Sequence, residues 1–411
     1  MPKSLTLPLL AWATGAMFFF YAWVLRVAPS VMITELMRDL AVGGAVLGNL
    51  SAFYFYGYAG MQMPVGLMLD RFGPRRLMTI AALVCAFGCV LFATSTAFWG
   101  VAAGRFLIGA AAAFSLVGSM AVAGQWFPPR RFALLSGLAM MMGMAGGVFG
   151  QAPLRLSVEA FDWRSTMLML AGGGVLLAIS AWATVRDRHR GSGGCGSMLT
   201  GLAKVVRKPQ NWLIAIAGMG ASTPLLGFAS LWGVPYLAAT HGLDQTAAAA
   251  VTSTVFIGWG AGAPLFGWFS DRIGRRRLPY IAGLVMCTLS IAAIVYIPGL
   301  PISLVTFLCF LCGLGGSAQI VGFATAREHN PTALSGTALG FVNCLVTSAG
   351  ALYQPLTGWL LDLGWQGKMV AGARVYDAVA YQYALSAIVA GTFIALLCTL
   401  AIRETHCRQV D

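Results

Sequence analysis

The chain has 411 residues, 58% of them hydrophobic and only 9% charged, with a formal net charge of +13 and a mean hydropathy of +0.78. A soluble domain is about 25% charged, so this composition excludes a set of water-dispersed domains and suits a bilayer, where length counts helices instead of domains. No basic stretch interleaves with aromatics on a polar surface, so the excess of base does not point to nucleic acid.

Apolar runs predict an all-α integral membrane protein with twelve transmembrane helices, at roughly 7–29, 44–69, 77–94, 98–124, 132–154, 166–185, 211–235, 247–269, 278–297, 302–326, 334–360 and 379–402. The first run begins like a secretory leader, with Lys3, leucines and the small-residue stretch from Ala11 to Ala16. Apolar bulk then continues through Phe18, Phe19, Phe20, Tyr21 and Trp23, which predicts a retained helix. Deep in that helix lies Arg26, on one face with Phe19, Trp23 and Ser30. An arginine in a membrane helix costs ~2.5–3.5 kcal/mol on insertion scales. Two readings follow: a guanidinium among aromatics that grips a carboxylate-bearing solute, or a side chain snorkelling to the interface.

Helix 2 carries Tyr54, Tyr58 and Gln62 at i, i+4 and i+8, a single polar stripe. Helix 10 holds Gln319, and helix 11 holds Asn343, Thr347, Gly350 and Gln354 at i, i+4, i+7 and i+11. Lipid offers such groups no partner, so they face the protein interior, either lining a water-filled cavity or joining helices. Trp232 and Tyr236, near the outer end of helix 7, suit interfacial anchors. The nine cysteines are read as small apolar fillers: Cys309 and Cys312 form a C-x-x-C with no histidine or carboxylate nearby to complete a metal or redox site. No metal or cofactor is implied.

With the N-terminus cytoplasmic, nineteen of the 26 basic residues fall in cytoplasmic segments and five outside (Arg38, Arg155, Arg164, Lys368 and Arg374), while Arg26 and Arg105 lie in helices. This asymmetry predicts an inner-membrane protein with both termini cytoplasmic. The basic, Gly/Ser-containing segment 186–210 reads as a cytoplasmic linker loop between an N-terminal six-helix bundle, 1–185, and a C-terminal one, 211–411.

The halves echo each other. Gly66-x-x-x-Asp70-Arg71-x-Gly73-x-Arg75-Arg76 follows helix 2, and Gly267-x-x-x-Asp271-Arg272-x-Gly274-Arg275-Arg276-Arg277 follows helix 8, every shared position displaced by 201 residues. A weaker echo pairs Ser136-Gly137 and Gln151-x-Pro153-Leu154 with Ser335-Gly336 and Gln354-Pro355-Leu356. Parallel six-helix repeats are a transporter architecture. On these residues the chain resembles the major facilitator superfamily over essentially its full length. The resemblance implies two six-helix bundles related by a pseudo-two-fold axis around a central cavity. It also implies a conformational latch of Gly66, Asp70, Arg71, Gly73, Arg75 and Arg76, echoed by Asp271, Arg272 and Gly274. Arg105-x-x-x-Gly109 looks like the family's fourth-helix arginine motif, and Gly143-x-x-Gly146-Gly147-x-x-Gly150 like its glycine-rich motif, which close helix packing alone would also produce.

Within the family, Tyr21-x-x-x-x-Arg26-x-Ala28-Pro29 with Ser51-Ala52-Phe53, Tyr58 and Gln62 is similar to the organic-anion symporter branch. Leu231-Trp232-Gly233-Val234-Pro235-Tyr236 and Gly336-Thr337-Ala338-Leu339-Gly340-x-x-Asn343 are similar to bacterial phagosomal amino-acid and nucleoside transporters and dipeptide carriers. The expectation is a monomeric secondary active transporter for a small anionic or zwitterionic solute, surrounded by membrane lipid. Arg26, Trp23, Tyr54, Tyr58, Gln62, Gln319, Asn343 and Gln354 are expected at the substrate. All thirteen acidic residues fall in loops or at helix ends. A coupled proton would then travel with the substrate carboxylate or through Glu328, Glu35 or Asp39, with Arg105 as a second coupling candidate; an uncoupled carrier fits as well. An intramembrane enzyme would need a nucleophile with a base, or clustered metal ligands, and His189, His241, His329 and His406 all lie in loops or at helix ends. A transporter-like receptor or assembly factor fits the same residues, and uptake by proteoliposomes separates it from a carrier.

Overall fold

The computed structural model describes residues 6–187, 198–331 and 334–409. Among them, ten helical segments are long and apolar enough to cross a membrane, and two bent pairs raise the number to as many as twelve: Ile33–Leu40 with Gly44–Gln62, bent by 112°, and Leu134–Phe149 with Ala152–Phe161, bent by 41°. The chain divides into two compact units. Unit 1 is Met1–Leu40 with Leu50–Gly194, and unit 2 is Ala41–Asn49 with Cys195–Asp411.

Unit 1 contains α1 (Thr6–Val27), α2 (Ile33–Leu40), most of α3 (Gly44–Phe72), α4 (Pro74–Thr94), α5 (Phe98–Trp126), α6 (Pro129–Phe149), α7 (Ala152–Phe161) and α8 (Trp163–Thr184). Within it α4 packs on α5 and α8, and α1 on α5, α6 and α8. Ile80, Leu83, Phe87 and Val90 leave one apolar face of α4 exposed, the face lipid would cover. Unit 2 contains α9 (Met198–Val206), α10 (Pro209–Ala221), a π-helical run (Pro224–Trp232), α11 (Gly233–His241), α12 (Gln245–Ile273), α13 (Arg277–Tyr296), α14 (Ile302–Gly316), α15 (Gln319–Glu328), α16 (Ser335–Leu363), a ribbon of β1 (Met369–Val370) and β2 (Ala373–Arg374), and α17 (Ala378–Ala401). Here α12 packs on α14, α13 on α14 and α17, and α10 on α16 and α17.

Every predicted run meets helix, but several are interrupted where the chain loses a donor. The predicted helix 5 turns at Gly150–Gln151 because Pro153 stands in the first turn of α7 and cannot continue the ladder. The predicted helix 7 is three segments. Pro224 lacks the N–H that would close an α-turn onto Gly220, and the chain widens into the π-helical run. The predicted helix 10 divides into α14 and α15 after Gly315-Gly316. Segment 186–210, expected as a loop, carries α9 in its described part, and residues 188–197 lie outside the described residues. Three helices start on an aspartate that accepts from the amide three residues on, the N-cap geometry: Asp162 from Ser165, Asp244 from Ala247 and Asp377 from Ala380.

Residues 41–49 join unit 2 through backbone donors. The amide of Gly44 donates to Asp362 Oδ1 at 3.0 Å and to Tyr376 Oη at 2.9 Å, and that of Ala45 to Asp362 Oδ2 at 2.9 Å. These are first-turn amides of α3 that no helical carbonyl can reach, and a carboxylate suits the positive end of the helix.

Candidate functional site

α1 stops at Val27 because Pro29 follows, leaving the carbonyl of Leu25 without the N–H it would otherwise accept. Arg105 of α5 supplies the missing donor. Its Nη1 donates to Leu25 O at 2.7 Å, and its Nη2 to Arg26 O at 3.3 Å and Ser51 O at 3.4 Å. A cation at a helix C-terminus also suits the negative end of the helix. Arg105 is 1% exposed, so it works as a buried clamp between α1, α3 and α5. Gly109, one turn along α5, permits the approach, since a Cβ there would collide with the carbonyl of Tyr54.

The clamp fixes the backbone of Arg26, whose side chain is 4% exposed. Its guanidinium carbon lies 4.1 Å from the Trp23 ring centre, 4.7 Å from Tyr58, 5.2 Å from Tyr54 and 5.9 Å from Phe55. Its Nε donates to Tyr54 Oη at 3.2 Å. Tyr54 and Tyr58 stack with centres 5.9 Å apart and planes 15° apart. Phe19 meets Trp23 edge-on at 6.4 Å, and both rings pack against Gly143 of α6. Arg26 is therefore buried in a cage of rings. None of the ion pairs among the described residues involves Arg26 or Arg105. Unit 1 thus holds two buried guanidiniums with aromatic and carbonyl neighbours but no carboxylate. Such a centre can bind an anion, because cation–π contacts and single hydrogen bonds stabilise a guanidinium without neutralising it.

Four predicted site residues, Trp23, Arg26, Tyr54 and Tyr58, are brought together in this cage. Gln62 follows one turn beyond Tyr58 on α3 and is half-buried. In unit 2, Gln354 is fully buried and joins helices: its Nε2 donates to Leu226 O in the π-helical run at 2.7 Å, and its backbone carbonyl accepts from Trp232 Nε1 at 3.0 Å. Gln319 is 5% exposed, its Nε2 has no partner among the described residues, and its side chain lies beside Gly218 and near Val346. Asn343 is half-buried, and its carbonyl accepts from Thr347 Oγ1 at 2.9 Å. Trp232 and Tyr236 are not interfacial anchors. Both are buried, and Tyr236 Oη donates to Ile294 O at 2.6 Å, because the wide π-helical turn carries this face of the segment into the unit.

The latch residues divide by unit. Gly73 has φ +79°, open to a residue without Cβ, and the next turn is held by Asp187: the Arg75 amide donates to its Oδ1 at 2.9 Å. The Arg75 guanidinium lies 4.0 Å from the Trp182 ring centre. Arg71 lies over Phe72. Gly66 lies within α3 and Arg76 in the first turn of α4, on either side of the turn, and the side chain of Asp70 lies outside the described residues. In unit 2, Gly274 has φ +63°, Arg272 lies over Trp268, and Arg276 bonds Asp271 Oδ1 at 2.6 Å and Glu328 Oε1 at 2.7 Å. Glu328 also accepts from Thr405 Oγ1 at 2.5 Å. It is engaged in this network at the end of α15, just as Arg105 is engaged with carbonyls.

The sequence reading missed three elements: the clamp role of Arg105, the capping carboxylates Asp187 and Asp362, and the π-helical run. Pro29 and Pro224 carried the signal, each marking a carbonyl that must find its donor elsewhere.

The model of the Major Facilitator Superfamily matches residues 12–234 and 212–406. The chain is 23% identical to the probable galactarate/D-glucarate transporter GudP of Bacillus subtilis, over 86% of this chain and 86% of that one. It is 23% identical to the lysosomal dipeptide transporter MFSD1 of Danio rerio, over 82% of this chain and 76% of the relative. Its fold matches the crystal structure of a bacterial homologue of the human lysosomal transporter Spinster, inward-facing and unoccupied, with TM-score 0.78, 16% identity and coverage of 97% and 96%. Family match, all-α fold and membrane-length helices agree that this multi-pass membrane transporter belongs to the Major Facilitator Superfamily.

Proposed function

We propose that the protein moves a small anionic or zwitterionic solute, an amino acid, dipeptide or organic acid, across the inner membrane by alternating access, with Arg26 holding its carboxylate. The observation that carries this reading is the pair of buried guanidiniums, Arg26 and Arg105, with no carboxylate partner among the described residues. Arg105 is occupied by three carbonyls, which leaves Arg26 as the cation to meet a substrate. Trp23, Tyr54 and Tyr58 wall the group, and Gln62, one turn beyond Tyr58, supplies a further polar contact. The names of the two relatives support a carboxylate, which aldarates and dipeptides share.

In this reading the two arginine-rich turns act as the latch that biases the conformational equilibrium, and their positive charge keeps them and both termini on the cytoplasmic side. A coupled proton would travel on the substrate carboxylate or through Glu35, Asp39 or Glu328.

The test is binding and proteoliposome uptake, with substrate first found by a thermal-shift screen of amino acids, dipeptides and organic acids. Arg26→Ala should weaken binding roughly ten- to a hundredfold, since a hydrogen bond to a charged group is worth ~1.5–3 kcal/mol. Arg26→Lys should also weaken it, because the planar fork is lost, and an amidated substrate should be less sensitive to either change. Wild-type binding and uptake by Arg26→Ala would remove this assignment.

A further inference from the structure

We propose that unit 2 carries a binding site for the phosphodiester of an anionic phospholipid, in a surface pocket where α13 meets the segment after α17. The pocket has a volume of about 320 Å³ and is lined by Arg275, Arg277, Leu278, Ile281, Glu404 and His406. Its lining is of two chemical kinds. Two guanidiniums and an imidazole line it together with the apolar Leu278 and Ile281, at the point where a membrane helix begins.

The third arginine of this turn is already committed, since Arg276 bonds Glu328, Asp271 and Ser270. Arg275 and Arg277 are the ones that line the pocket, and Arg277 is steadied by donating Nη2 to the carbonyl of Leu400. The acid in the lining does not oppose an anion as strongly as its formal charge suggests. Both oxygens of Glu404 accept backbone amides, Oε1 from Arg276 at 2.7 Å and Oε2 from Arg277 at 2.9 Å. Although burial works against its ionisation, these amides and those of His406 and Thr405 hold its carboxyl below the ordinary value. It is spent on the first turn of α13, and the two guanidiniums outnumber it.

The apolar wall selects lipid over free phosphate. Leu278, Val285 and Leu289, at spacings of seven and four, leave one face of α13 exposed, and Phe393, Leu397 and Leu400 do the same on α17. The two helices pack together, so a phosphate held by Arg275 and Arg277 would have its acyl chains against apolar surface that needs covering. Basic pockets between membrane helices bind anionic headgroups in this way, and arginine forks match phosphate geometry.

The test uses the full chain in detergent, measuring lipid retention by native mass spectrometry and thermal shift with dioleoylphosphatidylglycerol, dioleoylphosphatidylcholine and inorganic phosphate. Phosphatidylglycerol should be retained at least about tenfold better than phosphatidylcholine and should raise the melting temperature, while inorganic phosphate should do neither. Arg275→Gln, which removes a charge at the pocket wall and leaves the Glu404 cap and the Arg276 network in place, should lower retention several-fold. Arg275→Gln with Arg277→Gln should abolish the preference, and Arg277→Lys should keep part of it. Equal retention of the two lipids, or an unchanged preference in the double variant, would overturn the site. Stabilisation by inorganic phosphate equal to that by phosphatidylglycerol would overturn the lipid as its ligand. None of these readouts depends on transport or on Arg26.

Discussion

The turn at Gly73 in unit 1 and the turn at Gly274 in unit 2 share a sequence but hold their arginines differently. In both, a carboxylate three residues beyond the unit's last long helix caps the next helix start: Asp187 follows α8 and bonds the Arg75 amide, and Glu404 follows α17 and bonds the Arg276 amide. Beyond that shared cap they diverge. Arg75 lies on Trp182, whereas Arg276 is drawn into a carboxylate network with Glu328 and Asp271. A duplicated backbone device has thus been given an aromatic partner in one unit and an ionic one in the other.

The same divergence appears inside the helices. Gly109 packs on the carbonyl of Tyr54, and Gly313 packs in the same way on that of Val255. Four residues before each glycine stand Arg105 and Cys309, both buried. The crossing is repeated, but the charge and the tyrosine occur only in unit 1. Within this pair of crossings only unit 1 buries a charge, and the other copy is apolar.

The largest expected effect tests the ionic partner. Arg276 and Glu328 have side chains only 11% and 12% exposed, and breaking a buried pair costs about 3–5 kcal/mol. Glu328→Gln should therefore cost about 3 kcal/mol of stability, the low end because Asp271 still faces Arg276, and melting in detergent should show a marked fall. Arg75→Gln should cost about 1 kcal/mol or less, since a cation–π contact at an exposed site is worth no more. Equal losses would break the contrast between the turns.

A second comparison sets Arg105→Ala against Cys309→Ala. The first leaves buried carbonyls unmatched, at about 1–3 kcal/mol, while the second removes one thiol from an apolar crossing and should cost about 1 kcal/mol or less. Thermal melts of both variants would decide it, and a Cys309→Ala loss as large as that of Arg105→Ala would show that the crossing itself, and not the clamp, sets the stability.

The smallest effect concerns acid. Glu404 has a carboxyl held below its ordinary value in the folded protein, so its contribution is fully present above the unfolded value, near 4.3, and is lost as pH falls through the lowered one. Wild type should therefore lose melting temperature more steeply than Glu404→Gln below about pH 4.3. Parallel slopes would mean that the cap contributes no pH-dependent stability.

Much of the fold was legible because lipid imposes a simple rule: each crossing needs a long apolar run, and the runs could be read directly. The cage was partly legible, since Arg26 and Trp23 share a helical face and Tyr54 and Tyr58 lie one turn apart. The bends were not, because they depend on donors missing at Pro153 and Pro224 and on where the widened turns then pack. The caps were hidden by distance in sequence: Asp187 lies 112 residues from Arg75, and Asp362 lies 318 from Gly44. Trp232 and Tyr236 misled because amphipathic aromatics serve equally as anchors and as buried donors, and only the π-helical run separates the two.

The nine residues of the chain that leave unit 1 and return to it bear on modularity. Residues 41–49 lie within the first half of the sequence but belong structurally to the second. The two halves are therefore not interchangeable cassettes. A C-terminal half made alone would present Asp362 and Tyr376 without the Gly44 and Ala45 amides they receive, and an N-terminal half would carry an orphaned helix start. The second unit is thus completed by a helix start that the first half of the sequence supplies.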